Sequence, residues 1–204
     1  MLSLERLKLM LACAAAKISG SEAELCALDA VCGDGDHGVA VKGAISAANA
    51  AFQASTNIKD AFYDAGFAAL SHSNGSTSTL FGALLMGISE PISEGALELD
   101  ARTVAEAFKS GLAAVMENTK AKVGDKTLMD ALIPAVESMQ GKGDVKEIFE
   151  CAALEAKKGA ESTKNLQAKF GRARNLGEKS IGSADAGARS ISLLFEAFSE
   201  ALNK

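Results

Sequence analysis

The sequence predicts an all-α fold built from eight or nine helices and no sheet. Of the 204 residues, 48% are apolar but only 5% are aromatic and tryptophan is absent. The core must therefore be built mainly from Ala, Leu, Ile, Val and Met, and such a core favours helices. No segment shows sustained alternation rich in β-branched residues. Short connections between helices favour antiparallel neighbours, in an up-and-down bundle or a closed ring.

The individual helices are predicted in order from apolar spacing and from signals at their ends. The first has apolar residues at helical spacing from Leu4 onward and stops before Gly20. Ser21 and Glu24 have the spacing of a capping box for a short second helix, which runs to about Ala30. The later helices are expected at 39–54, 58–72, 80–88, about 100–118, 126–139, 144–166 and about 186–202.

Composition and charge narrow the class of protein. With two prolines, no low-complexity linker and no internal repeat, we expect one domain over 1–204. The net charge of −5 and the lack of a basic run argue against a nucleic-acid partner. The charged N-terminus and the lack of a long apolar stretch predict a cytoplasmic protein with no membrane partner. The four cysteines lack Cys-x-x-Cys spacing and are expected to be buried free thiols.

A cluster of aspartates points to chemistry. Asp29, Asp34 and Asp36 fall within eight residues, and glycines flank the last two. Such carboxylates repel one another and converge only around a positive charge. Magnesium shares its oxygen ligands between carboxylates, waters and phosphates, so the cluster favours a nucleotide site. An EF-hand is excluded because Gly38 and Ile45 stand at the fifth and twelfth positions counted from Asp34. A solvated turn remains an alternative.

A second polar run, Ser71 to Thr79, is rich in hydroxyl groups and leads directly into a helix. Helix N-termini offer free N–H groups and suit phosphate oxygens, although an N-capped polar turn would look the same. No Walker sequence is present. Further breaks between helices that contain charged residues follow at 124–130, 171–174 and 182–187.

Three motifs together resemble the nucleotide-binding subunit of dihydroxyacetone kinase, in order over essentially the whole chain. They are Leu28-Asp-Ala-Val-Cys-Gly-Asp-Gly-Asp-His-Gly38, Gly124-Asp-Lys-Thr-Leu-Met-Asp-Ala-Leu-Ile-Pro134, and Gly171-Arg-Ala-x-x-Leu-Gly-Glu-x-Ser-Ile-Gly182 with Asp185-x-Gly-Ala188. The resemblance implies a barrel of about eight antiparallel amphipathic helices, with ADP or ATP held in the loops at one end.

The resemblance also implies roles for single residues. Asp29, Asp34 and Asp36 would bind two magnesium ions that bridge to the phosphates, and would serve phosphoryl transfer in this way. The other implied nucleotide contacts are His37, Gly38, Ser76 and Thr77 at the phosphates, Thr119 and Leu128 at the base and sugar, and Arg172, Asp185 and Gly187 in the far loops.

The sequence departs from the family pattern mainly in the second loop. Thr77 stands at the usual serine and Ser78 at the second glycine of a Gly-x-Ser-Gly-type run. Ser78 either blocks close backbone approach or adds a hydroxyl contact. In addition, Val39-Ala40 replaces residues that are commonly polar, and Ala186 replaces a proline.

The expected partners follow from what the chain lacks. His37 and His72 are the two histidines, and no constellation for nucleophilic catalysis is present. In the family the ketone is bound by a separate kinase subunit, so that subunit is the expected partner. The phosphoryl donor is either a phosphotransferase-system protein fed from phosphoenolpyruvate, which rephosphorylates bound ADP, or ATP itself. The acceptor ketose and the oligomeric state, a homo-oligomer included, stay open.

Two other classes of function compete with the kinase interpretation. The chain is alternatively a nucleotide-sensing regulatory module that docks on another protein without turnover. The third interpretation is a helical bundle whose acidic loop binds calcium or nothing.

Overall fold

The computed structural model describes residues 1–73 and 75–203 and confirms an all-α fold. Within this part of the chain there are nine α-helices. They are α1 Leu4–Gly20, α2 Glu22–Ala30, α3 His37–Ala54, α4 Ile58–His72, α5 Ser76–Ser89, α6 Ala101–Asn118, α7 Met129–Ser138, α8 Val145–Ser162 and α9 Ala186–Leu202. Two 3-10 helices, Thr163–Asn165 and Arg172–Ser180, lie between α8 and α9.

Contacts between the helices run around a closed ring. Each of α3 to α8 packs against the next helix along the chain, and α9 packs against α1, which in turn contacts α3. The short α2 stands beside the ring and packs on α3 and α9. A buried cluster of aromatic rings lies inside, with neighbouring centroids 5.5–6.5 Å apart and mostly edge to face; its members are Phe108, Phe149, Phe195 and Phe198.

Glycines bring the backbones of α4, α5 and α6 close together. A Cβ atom at Gly82 would lie 2.8 Å from the carbonyl oxygen of Gly66, and one at Gly111 would lie 2.7 Å from that of Leu84. Real Cβ atoms do not approach backbone this closely, so a side chain at either position would push two helices apart. This part of the ring is therefore fixed by backbone contact.

Several predicted details are wrong. A two-residue antiparallel pair joins Leu2–Ser3 to Glu98–Leu99, which is too short to produce alternation in the sequence. The predicted capping box at Ser21 does not form, because its side chain makes no capping bond. Glu24 instead pairs with Arg189 of α9. In addition, α5 begins within the polar run, at Ser76, and α7 begins three residues later than expected, at Met129.

Two further features of the described residues are the state of the cysteines and the apolar character of the helices. All four cysteines are free, as predicted, but they are half-buried instead of buried: Cys13, Cys26, Cys32 and Cys151. Among the described residues, no helix combines the length and the apolar character needed to cross a bilayer.

Candidate functional site

A cavity of about 700 Å³ opens at the end of the ring where α3, α5 and α9 begin and α4 ends. The first residues of the three beginning helices, His37, Ser76 and Ala186, all line it. Helix N-termini present N–H groups without intrahelical partners and the positive end of the macrodipole. Three of them around one cavity favour an anionic ligand. The volume suits a small molecule.

The three predicted carboxylates converge at this cavity. One oxygen atom from each of Asp29, Asp34 and Asp36 lies within 4.8 Å of the other two. The loop between them folds back because the Oδ2 atom of Asp29 accepts hydrogen bonds from the backbone N–H groups of Gly35, at 2.9 Å, and Asp36, at 3.1 Å. Gly35 has a φ of +78°, which favours glycine.

The donor set of this cluster fits a hard cation. Asp36 precedes the first turn of α3 at the N-cap position, yet its side chain makes no capping bond, so its carboxylate remains with the cluster. Asp34 and Asp36 are exposed at the cavity mouth, where a ligand has access. Three carboxylates on a glycine-rich loop match the oxygen ligands that magnesium takes, with phosphate or water completing its shell.

His37 connects the beginnings of three helices. Its Nε2 atom lies 2.7 Å from the hydroxyl of Ser190 in α9, and its Nδ1 atom lies 3.3 Å from the hydroxyl of Thr77 in α5. Burial lowers the pKa of His37, and the nearby Asp29 carboxylate only partly opposes this effect. The ring is therefore neutral at pH 7, with one nitrogen donating and the other accepting.

The second loop places its hydroxyl groups on different sides. Ser76 and Thr77 line the cavity. Their contacts with phosphate remain predictions. Ser78 is fully buried, and its hydroxyl lies 2.7 Å from that of Ser73. The serine at the family's glycine position therefore fixes the turn and does not face the cavity. Asn74, which belongs to the predicted polar run, lies outside the described residues.

The far segment reaches the cavity with Arg172, Asp185 and Gly187. The Arg172 guanidinium contacts the carboxylate of Asp34. Asp185 caps α9 by accepting a hydrogen bond from the N–H of Ala188 at 2.7 Å. Burial raises the pKa of Asp185 to about 6, opposed by this hydrogen bond.

Lys126 is a cavity residue that sequence reasoning missed. It is 3% exposed, and its ammonium group donates to the carbonyl oxygens of Thr163, at 2.6 Å, and Ser183, at 2.5 Å. Burial lowers the pKa of Lys126. The nearby Cys32, Asp185 and Asp130 oppose this effect only in part. Its place in the second motif, after Gly124-Asp, was the available signal.

The structure does not bring every predicted residue to the cavity. Leu128 lines it, but Gly38 and Thr119 do not. Gly38 faces α2, where a Cβ atom would lie 2.2 Å from the Glu22 carbonyl oxygen. Thr119 ends α6 and accepts a hydrogen bond from the N–H of Ala121. Their contacts with phosphate and base remain predictions. Other lining residues that were missed are His72, Thr127, Phe81, Phe170, Ser190 and Ile191.

Comparison with known proteins decides the family. The sequence model of the DAK2 domain matches residues 31–200. The chain belongs to the DAK2 domain family. This result confirms the resemblance inferred from the three motifs.

Relatives of the DAK2 chain fall into two size classes. It is 31% identical over 186 residues to the ADP-binding subunit DhaL of the PEP-dependent dihydroxyacetone kinase of Escherichia coli, covering 88% of each chain. It is 35% identical over 192 residues to the L-erythrulose 1-kinase of Mycolicibacterium smegmatis, covering 90% of this chain and 33% of that protein. The chain thus spans about a third of the length of the erythrulose kinase.

The DAK2 fold is also found in solved structures. The dihydroxyacetone kinase of C. freundii, in complex with AMP-PNP and Mg²⁺, superposes with a TM-score of 0.74 at 27% identity. The match covers 94% of this chain and 33% of that kinase.

Proposed function

We propose that this chain binds ADP or ATP with magnesium in the cavity and serves phosphoryl transfer to a short-chain ketose held by a partner kinase subunit. The observation that carries the proposal is the convergence of Asp29, Asp34 and Asp36 beside three helix N-termini. A polyphosphate needs both a carboxylate-bound cation and N–H donors. The proposal gains support from relatives named as ADP-binding subunits and from the solved kinase with AMP-PNP and Mg²⁺.

Different residues of the chain bind the magnesium and the phosphates in this proposal. Asp29, Asp34 and Asp36 would hold the magnesium, as two ions by the family resemblance. Magnesium supplies positive charge that neutralises phosphate oxygens as charge spreads over the transferred group. Ser76 and Thr77 donate N–H and hydroxyl groups to the phosphates at the start of α5.

The remaining residues orient the nucleotide. Arg172 stands where its guanidinium can turn from Asp34 to a phosphate. Leu128 and the apolar side chains beside it, Phe81, Phe170 and Ile191, form a surface for the base. His37 holds Thr77 in place through its Nδ1 atom. Catalysis by this chain is therefore positioning and electrostatic stabilisation.

The acceptor and donor come from other proteins in this proposal. Dihydroxyacetone and erythrulose are the acceptors suggested by the names of the relatives. A phosphotransferase-system donor protein and direct use of ATP are the two routes for the phosphoryl group. We also place the protein in the cytoplasm, as one domain over 1–204.

The test combines the purified chain with a ketone-binding kinase subunit and measures phosphorylation of dihydroxyacetone and erythrulose. One arm receives ATP, and the other receives phosphoenolpyruvate with the phosphotransferase proteins. Product in either arm supports the proposal and identifies the donor. Mg-ADP binding without product in both arms overturns the kinase function in favour of a nucleotide-sensing module. A lack of Mg-ADP binding by calorimetry overturns the whole proposal.

A further inference from the structure

Two neighbouring loops are joined at the base of the cavity. The first, residues 119–128, connects α6 to α7, and the second, residues 163–185, connects α8 to α9. The loop 163–185 carries Arg172 and ends at Asp185, and both of these residues line the cavity. The way in which this loop is anchored therefore decides where those two groups stand.

Asp125 holds the part of the loop 163–185 that precedes Arg172. The side chain is 4% exposed, and its carboxylate accepts hydrogen bonds from the N–H of Lys122, at 3.0 Å, and from the ammonium of Lys169, at 3.0 Å. The backbone N–H of Lys169 donates to the Asp125 carbonyl at 3.1 Å, and its ammonium also reaches the Gly124 carbonyl at 2.9 Å. Lys169 is thus fixed through both its backbone and its side chain.

Lys126 holds the two ends of the same loop. Its ammonium group bonds the carbonyl of Thr163, where the loop leaves α8, and that of Ser183, where it returns to α9. Lys126 has a φ of +58°, in the left-handed region that a lysine rarely adopts. A strained backbone of this kind persists where surrounding contacts require it, and functional sites are where such residues cluster.

Hydrogen bonds within the loop 163–185 also join its two ends. The N–H of Asp185 donates to the Thr163 hydroxyl at 2.9 Å, and the N–H of Gly182 donates to the Lys164 carbonyl at 2.8 Å. Gly171 and Gly182, with φ values of +62° and +109°, flank the 3-10 helix that carries Arg172. Contacts at both ends therefore fix the loop 163–185 to the neighbouring loop and to itself.

We propose that Asp125 and Lys126 are positioning residues that clamp the loop 163–185 so that Arg172 and Asp185 face the nucleotide cavity. Asp125 is not among the residues that line the cavity, and Lys126, which does line it, has its ammonium group on two carbonyl groups of the loop. Each therefore acts through the loop that it holds. The consequence for affinity rests on the function proposed above, whereas the anchoring of the loop does not.

The first test replaces Lys126 with methionine, which keeps the apolar stem and removes the ammonium. Hydrogen exchange in residues 163–185 should then rise by about tenfold or more, while the helical core stays protected. The Kd for Mg-ADP should increase by about tenfold, the usual order for loss of a residue that orients a binding group. Lys142→Met, which removes an ion pair with Glu147 outside the cavity, should change neither quantity.

The second test uses Lys169→Met, whose side chain is 59% exposed, so that its removal leaves the fold intact. This variant should loosen the same loop and weaken Mg-ADP binding, and adding Asp125→Asn should weaken binding by less than the sum of the two single effects. Unchanged loop exchange in both lysine variants would overturn the clamp, as would additive effects of Asp125→Asn and Lys169→Met.

The two proposals fail in different ways. If the wild-type protein does not bind Mg-ADP, the proposed function fails, yet the exchange measurements on the ligand-free protein still decide whether the clamp exists. If the wild type binds Mg-ADP and the loop loosens in the lysine variants without any change in Kd, the clamp is structural only and the positioning role is overturned.

Discussion

The guanidinium of Arg172 contacts the Oδ2 atom of Asp34 and joins two segments that are 138 residues apart in the sequence. Asp34 also belongs to the carboxylate cluster. A cation at the cluster and Arg172 would therefore compete for the same carboxylate, and a nucleotide phosphate gives the arginine a second anionic partner. This relationship couples the occupancy of the metal site to the position of the far loop.

Replacing Arg172 with glutamine should affect two ligands in opposite directions. Binding of Mg²⁺ alone should strengthen by a factor of about two to five, since an exposed ion pair is worth ~0–1 kcal/mol. Binding of Mg-ADP should weaken by about tenfold, because a charge-assisted bond to phosphate is lost. Calorimetry with each ligand checks both. Arg174→Gln, in the same segment but outside the cavity lining, is the matched control, and equal effects from the two variants would contradict the assignment.

Replacing Asp34 or Asp36 with asparagine keeps the shape of the side chain but removes its charge. Magnesium-dependent ADP affinity should fall by at least about tenfold, because the cation loses a carboxylate ligand. The exposed Asp60, far from the cluster on α4, gives the control variant Asp60→Asn. Unchanged Mg-ADP affinity in Asp34→Asn and Asp36→Asn would remove the metal assignment.

Substitutions at Thr77 and Ser78 should separate an effect on nucleotide affinity from an effect on the free energy of unfolding. Thr77→Val removes a hydroxyl that lines the cavity, so nucleotide binding should weaken by roughly 0.5–3 kcal/mol, depending on whether the lost bond reaches a charged oxygen. Ser78→Gly removes the buried bond to Ser73 instead. It should lower the free energy of unfolding by about 1–2 kcal/mol and leave Mg-ADP affinity unchanged. Equal nucleotide affinity for wild type and Thr77→Val would show that this loop does not contact phosphate.

The raised pKa of Asp185 predicts that the stability of the protein depends on pH. Its pKa is raised to about 6 by burial, with Asp130 and Asp29 adding to the rise and Lys126 opposing it. Between about pH 4 and pH 6 the folded protein keeps a proton that the unfolded chain has lost, so the free energy of unfolding falls as pH rises. The side chain is only half-buried, which reduces the expected loss to about 1 kcal/mol.

The matched variant for this test is Asp185→Asn, because asparagine can still cap α9. Urea unfolding in the presence of a chelator, measured at a series of pH values, gives the difference in stability between wild type and variant. The free energy of unfolding of the wild type should fall relative to that of the variant as pH rises from about 4 to about 6. Parallel stability curves for the two proteins would contradict a raised pKa of Asp185.

Local signals in the sequence were sufficient for the helices and for the acidic cluster. Helical spacing needs only neighbours along the chain, and Asp29, Asp34 and Asp36 are close in sequence as well as in space. The resemblance added Arg172 and Asp185, which no spacing rule connects to the first loop. Ten of the twelve predicted site residues line one cavity, and the two that do not are Gly38 and Thr119.

Contacts between distant segments account for what the sequence did not reveal. Lys126 reaches carbonyl groups 37 and 57 residues away, and a backbone carbonyl carries no signature of its role in the sequence. Ser78 offered two interpretations because its direction depends on how Ser73 folds back onto α5. The capping box at Ser21 does not form because the Ser21 N–H already donates to the carbonyls of Lys17 and Ile18 at the end of α1, while Glu24 pairs with Arg189 from the other end of the chain.

The glycine contacts between α4, α5 and α6 have a consequence for how this protein can change over evolutionary time. Because Gly82 and Gly111 accept no larger residue without separating two helices, these two positions are closed to variation. A mutational library at Gly82 and Gly111 should therefore return glycine at both positions among the variants that fold.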